Sequence, residues 1–327
     1  PRTAGDIERA LETFERCVRF AGVTAADTYM CSLPLGIHPA GQQLVRAAER
    51  IGAATIWAGA GNQTPSAMQA ELIHDLGATV WCGMPSFGVN LAHIAEAARR
   101  PLADSAVGLL ITTAEMLSPA KRALLERLWG ARVVDVFGMS EIGLMAVECG
   151  RRPGLHCWRE HSFCEVLDPE TLEPTPPGEV GVLCVSPVAG GEALPFIRWL
   201  SGDIVRAEYD CDCEAAGHPR LVHSGRTLNF SKLRGVNLNH AEIEDALYAL
   251  ESIVDFRVRI TAEERLVVEV EAAADPANAV AELERLFRER FEVRAEPELV
   301  ARGTIARAVE GQLKAQRFVD ERPASAG

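Results

Sequence analysis

What limits this chain most is a change of hydrophobic period part-way along it. Ile7, Leu11, Phe14 and Val18 fall at spacings of four, three and four, one face of a helix. Met68, Leu72, Ile73 and Leu76 repeat that face, Gly77 closes it, and Ala78 to Cys82 reads as a buried strand. A helix near Val89 to Arg99, a strand at Val107 to Ile111, a helix carrying Leu124, Leu125 and Leu128, and a strand at Val133 to Phe137 continue the alternation. Only a mostly parallel sheet with helices packed on it accommodates such a series.

After about Glu148 the pattern becomes one of short strands, at Phe163 to Leu167, Val180 to Val185 and Phe196 to Leu200, split by the Asp168-Pro-Glu-Thr and Pro176-Pro-Gly turns. From about Gly225 a third pattern begins. Ala241 to Leu250 is helical, Phe256, Val258 and Ile260 alternate with arginines, Leu266 to Val270 is a strand, and Pro276 to Phe291 is an amphipathic helix opened by proline. The expected architecture is α/β: a core domain over 1–224, its antiparallel β annex at about 149–224, then a small α+β domain over 225–327.

A length of 327 residues is enough for two cores. A formal charge of −13 argues against a nucleic-acid partner, since no extended surface would neutralise phosphates. The apolar runs are strand-sized, so no membrane span is expected, and no apolar leader opens the chain. A cytoplasmic location is the expectation. Nine cysteines, an odd number spread over the chain, are unlike a disulfide scaffold. Cys82 and Cys184 read as small core residues, whereas Cys149, Cys211 and Cys213 stand in polar surroundings.

Four constellations carry chemistry. Val136-Phe-Gly-Met-Ser-Glu141 follows a buried strand, where α/β sheets bind ligands. Ser140 can bond a phosphate and Glu141 can hold Mg²⁺; an ordinary strand-to-helix turn with Ser140 as N-cap explains the same residues. Arg198-Trp-Leu-Ser-Gly-Asp203 places an acid that can accept two ribose hydroxyls. Gly225-Arg226 and Lys232-Leu-Arg-Gly-Val-Asn237 offer cations for phosphate. Lys314-Ala-Gln-Arg317 follows the Gly303 and Gly311 loops, and reads otherwise as a solvated basic helix start.

In this order the pieces resemble the adenylate-forming superfamily, and within it the phenylacetate-CoA ligase and coenzyme F390 synthetase-like branch. Phe137-Gly-Met-Ser-Glu-Ile-Gly143 resembles YGxSE. Gly154-Leu-His-Cys-Trp-Arg-Glu-His161 and Glu165-Val-Leu-Asp-Pro-Glu-Thr171 resemble GLHxWxDH and ExxDPxT. Pro195 to Asp203 is similar to PLIRYRTGD, Gly225 to Asn237 to GRxDDxxxxRGVN, and Lys314 to Arg317 to KAxR. The resemblance covers nearly the whole chain.

It implies an ATP-dependent acid–thiol ligase that makes an acyl-AMP and hands the acyl group to CoA or to a carrier-protein phosphopantetheine. Phe137, Gly138 and Met139 would line the adenine, with Ala114 and Glu115 at the preceding turn. Ser140 would meet phosphate or substrate carboxylate, and Glu141 the Mg²⁺. Asp203 would hold the ribose, and Arg226 and Lys232 the nucleotide. Ser86 and Phe87, in a stretch resembling TPSYxxxL, would contact an aryl or acyl acid. Lys314 would be the catalytic lysine of a mobile C-terminal domain, stabilising charge where carboxylate meets α-phosphate.

Four departures qualify this. The Gly/Ser/Thr-rich phosphate loop would precede Thr3-Ala-Gly-Asp-Ile7 and is not in the sequence. Leu228 replaces an acidic hinge residue, the turn before Glu115 lacks glycine, and two extra residues precede Lys314. A second reading therefore stands beside the ligase: a non-adenylating relative, whether pseudoenzyme, half of a split enzyme whose partner chain supplies the loop, or acyltransferase using a preformed acyl-adenylate.

Cys149 and His156, seven apart, and the Cys211-Asp-Cys213 pair make a closed three-thiolate, one-imidazole set suited to structural Zn²⁺. Similar pairings occur in phenylacetate-CoA ligase-like sequences. His218, His161 or Cys157 is an alternative for one ligand, and free loop cysteines with His156 beside the substrate are the bland alternative.

Overall fold

A computed structural model describes residues 1–226, 230–309 and 316–322. These group into two compact units: residues 1–117 with 125–226, and residues 118–124 with those from 230 onward. Leu228 in the hinge and Lys314 lie outside the described residues.

The first unit opens with α1 (Ala4–Ala21), started by Thr3, whose hydroxyl accepts from Asp6 N while Asp6 accepts from Thr3 N. There follow β1 (Thr28–Cys31), α2 (Pro39–Ile51), β2 (Ala54–Trp57), α3 (Ser66–Asp75), β3 (Val80–Gly83), α4 (Pro85–Ala97), β4 (Leu109–Thr112), α5 (Pro119–Trp129) and β5 (Arg132–Met139). Then strands alone continue: β6 (Gly143–Glu148), β7 (Leu155–Cys157), β8 (Ser162–Leu167), β9 (Val180–Pro187), β10 (Trp199–Glu208) and β11 (Arg220–Arg226).

All eleven belong to one sheet, ordered β2-β1-β3-β4-β5-β6-β7-β11-β10-β9-β8. The first five run parallel, and every later pairing is antiparallel. On one face Tyr29, Cys31, Val80, Cys82, Leu109 and Ile111 pack under Phe14, Val18, Leu44 and Val45 of α1 and α2. Trp81, pointing the other way by strand alternation, meets Trp129 at 5.1 Å and abuts Gly88 of α4. The parallel strands are thus covered on both faces, which is why they read as continuous apolar runs.

Three expectations are corrected. Met68 and Leu76 are half-exposed, and α3 ends at Asp75, so its buried face is carried by Gln69, Ala70 and Ile73 instead. The third annex strand begins at Trp199, because Arg198 sits at φ 50° and breaks the extension of Phe196 and Ile197. Between residues 22 and 67, where the sequence marks no element, β1, α2 and β2 stand.

The second unit has its own core. A β12 (Phe230–Leu233) and β13 (Val236–Asn239) hairpin leads to α6 (His240–Tyr248), then β14 (Ile253–Ile260), β15 (Leu266–Ala272), α7 (Pro276–Arg290), β16 (Ala295–Leu299), α8 (Thr304–Val309) and β17 (Phe318–Asp320). Its four-stranded sheet is ordered β16-β15-β14-β17, and Phe256 and Val268 of the sheet are fully buried with Leu283 and Phe287 of α7. Among the described residues, no helix is long and apolar enough to cross a membrane.

Candidate active site and metal centre

The Phe137–Glu141 motif ends a strand but enters no helix. β5 turns through Ser140, Glu141 and Ile142 straight into β6, pairing Val136 with Val147 and Phe137 with Ala146 before the register slips. Gly138 is obligatory there: a Cβ would sit 2.4 Å from the Gly143 carbonyl. The N-cap reading of Ser140 is thereby set aside. Ser140 is exposed, its carbonyl accepting from Arg2 at 2.8 Å. Ser140 and Glu141 line a cavity of about 280 Å³ together with Arg2, Arg9, His161 and Phe196.

Asp203 lies within β10. Pairing with β9 slips between Leu200 and Ile204, and pairing with β11 slips beside it, between Ile204 and Val205. Such irregularities re-aim a side chain. The carboxylate is buried, 5% exposed, and its Oδ1 receives His223 Nε2 at 3.1 Å and Arg226 Nε at 3.0 Å. Burial pushes this carboxyl up, but the His223 hydrogen bond and the nearby Arg226 charge outweigh burial and hold it below the usual carboxylate value. Arg226 also donates to the Ser201 carbonyl at 2.9 Å. The His223 ring lies 5.5 Å from that of Phe137, so the acid and the β5 hairpin share a neighbour. Nothing in the sequence singles out His223, a lone histidine in a polar strand.

A second grouping joins two expected residues. Ser86 Oγ and Ser86 N donate to the two Glu115 oxygens at 2.6 and 3.0 Å, satisfying a first-turn amide of α4. Ala114 holds φ 71°, the left-handed region that glycine adopts freely; an alanine there costs about 1–2 kcal/mol. Phe87 is half-buried against the main core, and neither Ser86 nor Phe87 lines the cavity beside Ser140. Lys232 is exposed on β12 of the second unit.

The four sulfur and nitrogen ligands expected of a metal site do converge. The Cys149, Cys211 and Cys213 Sγ atoms and one ring nitrogen of His156 lie within 4.8 Å of one another. Cys149 Sγ is 3.8 Å from Cys211 Sγ, and Cys213 Sγ is 3.3 Å from His156 Nε2. A Zn–S bond near 2.3 Å in tetrahedral geometry gives S···S edges of about 3.8 Å, the separation of Cys149 and Cys211, so the donor set fits zinc. Burial raises the Cys149 thiol, yet the backbone amides of Arg151 and Arg152 outweigh it and lower its pKa, favouring thiolate. Cys213 is pushed up to about 11 by burial first and by the neighbouring thiols, the mutual penalty a cation would relieve. Burial, then the Arg220 charge, lowers His156 and keeps it neutral as a ligand must be. Cys157, by contrast, lies 3.0 Å from Cys164, and His218 accepts from Arg159 N, so neither competes.

Residues 3–189 match the family described as AMP-binding enzyme. The chain belongs to that family. Within it the chain falls in the phenylacetate-CoA ligase-like branch. The phenylacetate-coenzyme A ligase of Thermus thermophilus is 30% identical over 295 residues, 88% of this chain and 63% of that one. The corresponding Escherichia coli ligase is 29% identical over 258 residues, 77% and 57% of the two. This chain therefore spans about three fifths of the curated relatives it matches. Among solved structures, 2-hydroxyisobutyryl-CoA ligase in the postadenylation state, in complex with R3-HIB-AMP, superposes with a TM-score of 0.88 at 25% identity, over 97% of this chain and 70% of that one.

Proposed function

We propose that this protein activates a carboxylic acid, of aryl type, as its acyl-adenylate and transfers the acyl group to CoA. The observation that carries the reading is the Asp203 carboxylate, buried and kept ionised by His223 and Arg226, with His223 against Phe137 of the β5–β6 hairpin. It has the chemistry of a nucleoside site, an acceptor for a vicinal diol beside an aromatic wall. The relatives named phenylacetate-CoA ligase support the aryl assignment, and the neighbour holding an acyl-AMP supports the intermediate.

In the reaction, a carboxylate oxygen attacks the α-phosphorus of ATP, the acyl–O–P bond forms, and pyrophosphate leaves. The thiol of CoA, giving up its proton, then attacks the acyl carbon and AMP departs. Asp203 and Arg226 position the nucleotide, Phe137, Gly138 and Met139 bound the adenine, and Ser140 donates to phosphate. Glu141, with a carboxylate beside the cavity, is the residue that would hold Mg²⁺, which screens phosphate charge when bound. Ser86, engaged by Glu115, shapes the acid pocket with Phe87 rather than bonding the acid. Lys314 supplies the ammonium that stabilises charge at the α-phosphate, and Lys232 is a further cation for phosphate. Cys149, His156, Cys211 and Cys213 hold structural Zn²⁺, bracing β7 and the loops flanking the annex.

The test is ATP–pyrophosphate exchange with a panel of aryl and aliphatic acids, on the full chain and on Lys314→Ala. Exchange that requires one aryl acid and falls roughly a hundredfold in the variant is expected. AMP binding without any exchange would move the protein to the non-adenylating class, and neither would remove the nucleotide reading altogether.

A further inference from the structure

The hydrogen bonds around His223 settle which of its nitrogens carries the proton. Gly225 N donates to His223 Nδ1 at 3.3 Å, so Nδ1 is the acceptor. Nε2 then bears the hydrogen and donates it to Asp203 Oδ1 at 3.1 Å. Arg226 Nε meets the same oxygen. An ionised carboxylate offers about four lone-pair directions, and these two donors take up two of them on Oδ1. The Ser201 side chain is hydrogen-bonded to this carboxyl as well, and the acceptor capacity that remains is what ribose hydroxyls would use. The other side of the imidazole carries a second contact, the Phe137 ring at 5.5 Å and 56°. His223 therefore touches the presumed sugar acceptor and the presumed base wall together, and its ring is held by strand β11 on a backbone fixed against β10.

We propose that His223 is a positioning residue that sets this site's selectivity for a ribonucleotide, by orienting the Asp203 carboxylate toward the 2′- and 3′-hydroxyls while propping Phe137 at the base. The proposal rests on the reading of Asp203 as the ribose acceptor. It acts through Asp203 and Phe137, and makes no contact with reacting atoms. Removing the Nε2–H donor frees the carboxylate to rotate and lets water compete for it. The penalty falls on the hydroxyl contacts and leaves phosphate binding largely intact.

The experiment is calorimetric titration of the full chain with AMP, 2′-deoxyAMP and 3′-deoxyAMP. Three variants accompany the wild type. His223→Asn keeps an acceptor for Gly225 but is too short to donate to Asp203, His223→Gln restores a donor at the Nε2 position, and Asp203→Ala removes the acceptor. The wild type is expected to prefer AMP over either deoxynucleotide by roughly tenfold or more. His223→Asn should bring that ratio close to one with only a small change in deoxynucleotide affinity, and His223→Gln should recover most of it. An unchanged ratio in His223→Asn, with the ratio lost in Asp203→Ala, would overturn the role of His223 while leaving the ribose site intact. A ratio that survives Asp203→Ala would overturn the ribose assignment itself, and this proposal with it.

Discussion

The Ser86 side chain and the Glu115 carboxylate are locked together: the hydroxyl donates at 2.6 Å to one oxygen and the amide at 3.0 Å to the other. Residues 29 positions apart in sequence thus build one corner where α4 begins and β4 has just ended. Glu115→Ala orphans a first-turn amide and a hydroxyl with 5% exposure. We expect a loss of about 1–2 kcal/mol, measured as a lower urea midpoint at unchanged slope. Glu115→Gln, which retains an acceptor, should lose less; equal losses would mean that the carboxylate's hydrogen bonds are not what stabilises the corner.

Acid titration of the nucleotide site follows from Asp203. Its folded carboxyl ionises more readily than an unfolded one, because the His223 bond and the Arg226 charge outweigh burial. The stabilisation it contributes is therefore complete above the ordinary carboxylate range, near pH 4, and disappears as pH falls through the lowered folded value. Affinity for adenosine, which carries no phosphate to titrate, should hold level from pH 7 down to about pH 5. In His223→Asn the decline should begin at higher pH. Coincident acid limbs for the two proteins would refute the coupling.

Within the second unit, Arg317 is paired with Asp255 and donates to the Phe256 carbonyl at 2.9 Å. Both side chains are almost wholly buried. Asp255→Ala leaves a cation without its counter-charge, for which a cost of about 3–5 kcal/mol is expected. Combining it with Arg317→Met should recover a large part, as seen in thermal melts. A double variant no more stable than the single one would show that the pair's value lies in packing.

Metal content is the simplest prediction to check. Protein purified without added metal should carry one zinc per chain by elemental analysis, and Cys211→Ser should carry none. Stripping with a strong chelator should lower the melting temperature by an amount corresponding to several kcal/mol, roughly the scale of structural zinc. Stoichiometric folded protein with no metal, and a melt indifferent to chelator, would exclude the centre.

The architecture was legible because its signals are local and strong. Val80 to Cys82 and Leu109 to Ile111 are apolar runs bounded by Gly77 and by Thr112, and α7 opens on Pro276 with Asp275 as its cap. The stretch holding α2 is itself amphipathic, with Leu44, Val45, Ala48 and Ile51 buried while Arg46, Glu49 and Arg50 are exposed, so its helix was legible by the same periodicity and went unmarked. At the site, the ordered series of motifs pointed to Asp203, and the polar surroundings of the loop cysteines with His156 pointed to a metal set. The backbone event that aims Asp203, a register slip between three strands, leaves no mark on a single sequence. His223 escaped for the same reason, since its importance arises from neighbours 20 residues upstream and across a strand.

The metal-ligand quartet has a further consequence for the unfolded chain. Cys149 and Cys211 are 62 residues apart, and a single ion held between them would tie the intervening loop into a ring in any state that retains it. By the arithmetic of a covalent cross-link, closing a loop of that length removes about 4 kcal/mol of chain entropy from the denatured ensemble. The segment so enclosed contains β7 to β10, and closing it draws β7 toward β11, its non-sequential partner just beyond the ring. An ion captured early would turn their distant partnership into a nearby one, so metal supply would govern how fast the β annex assembles as well as how firmly it stays assembled.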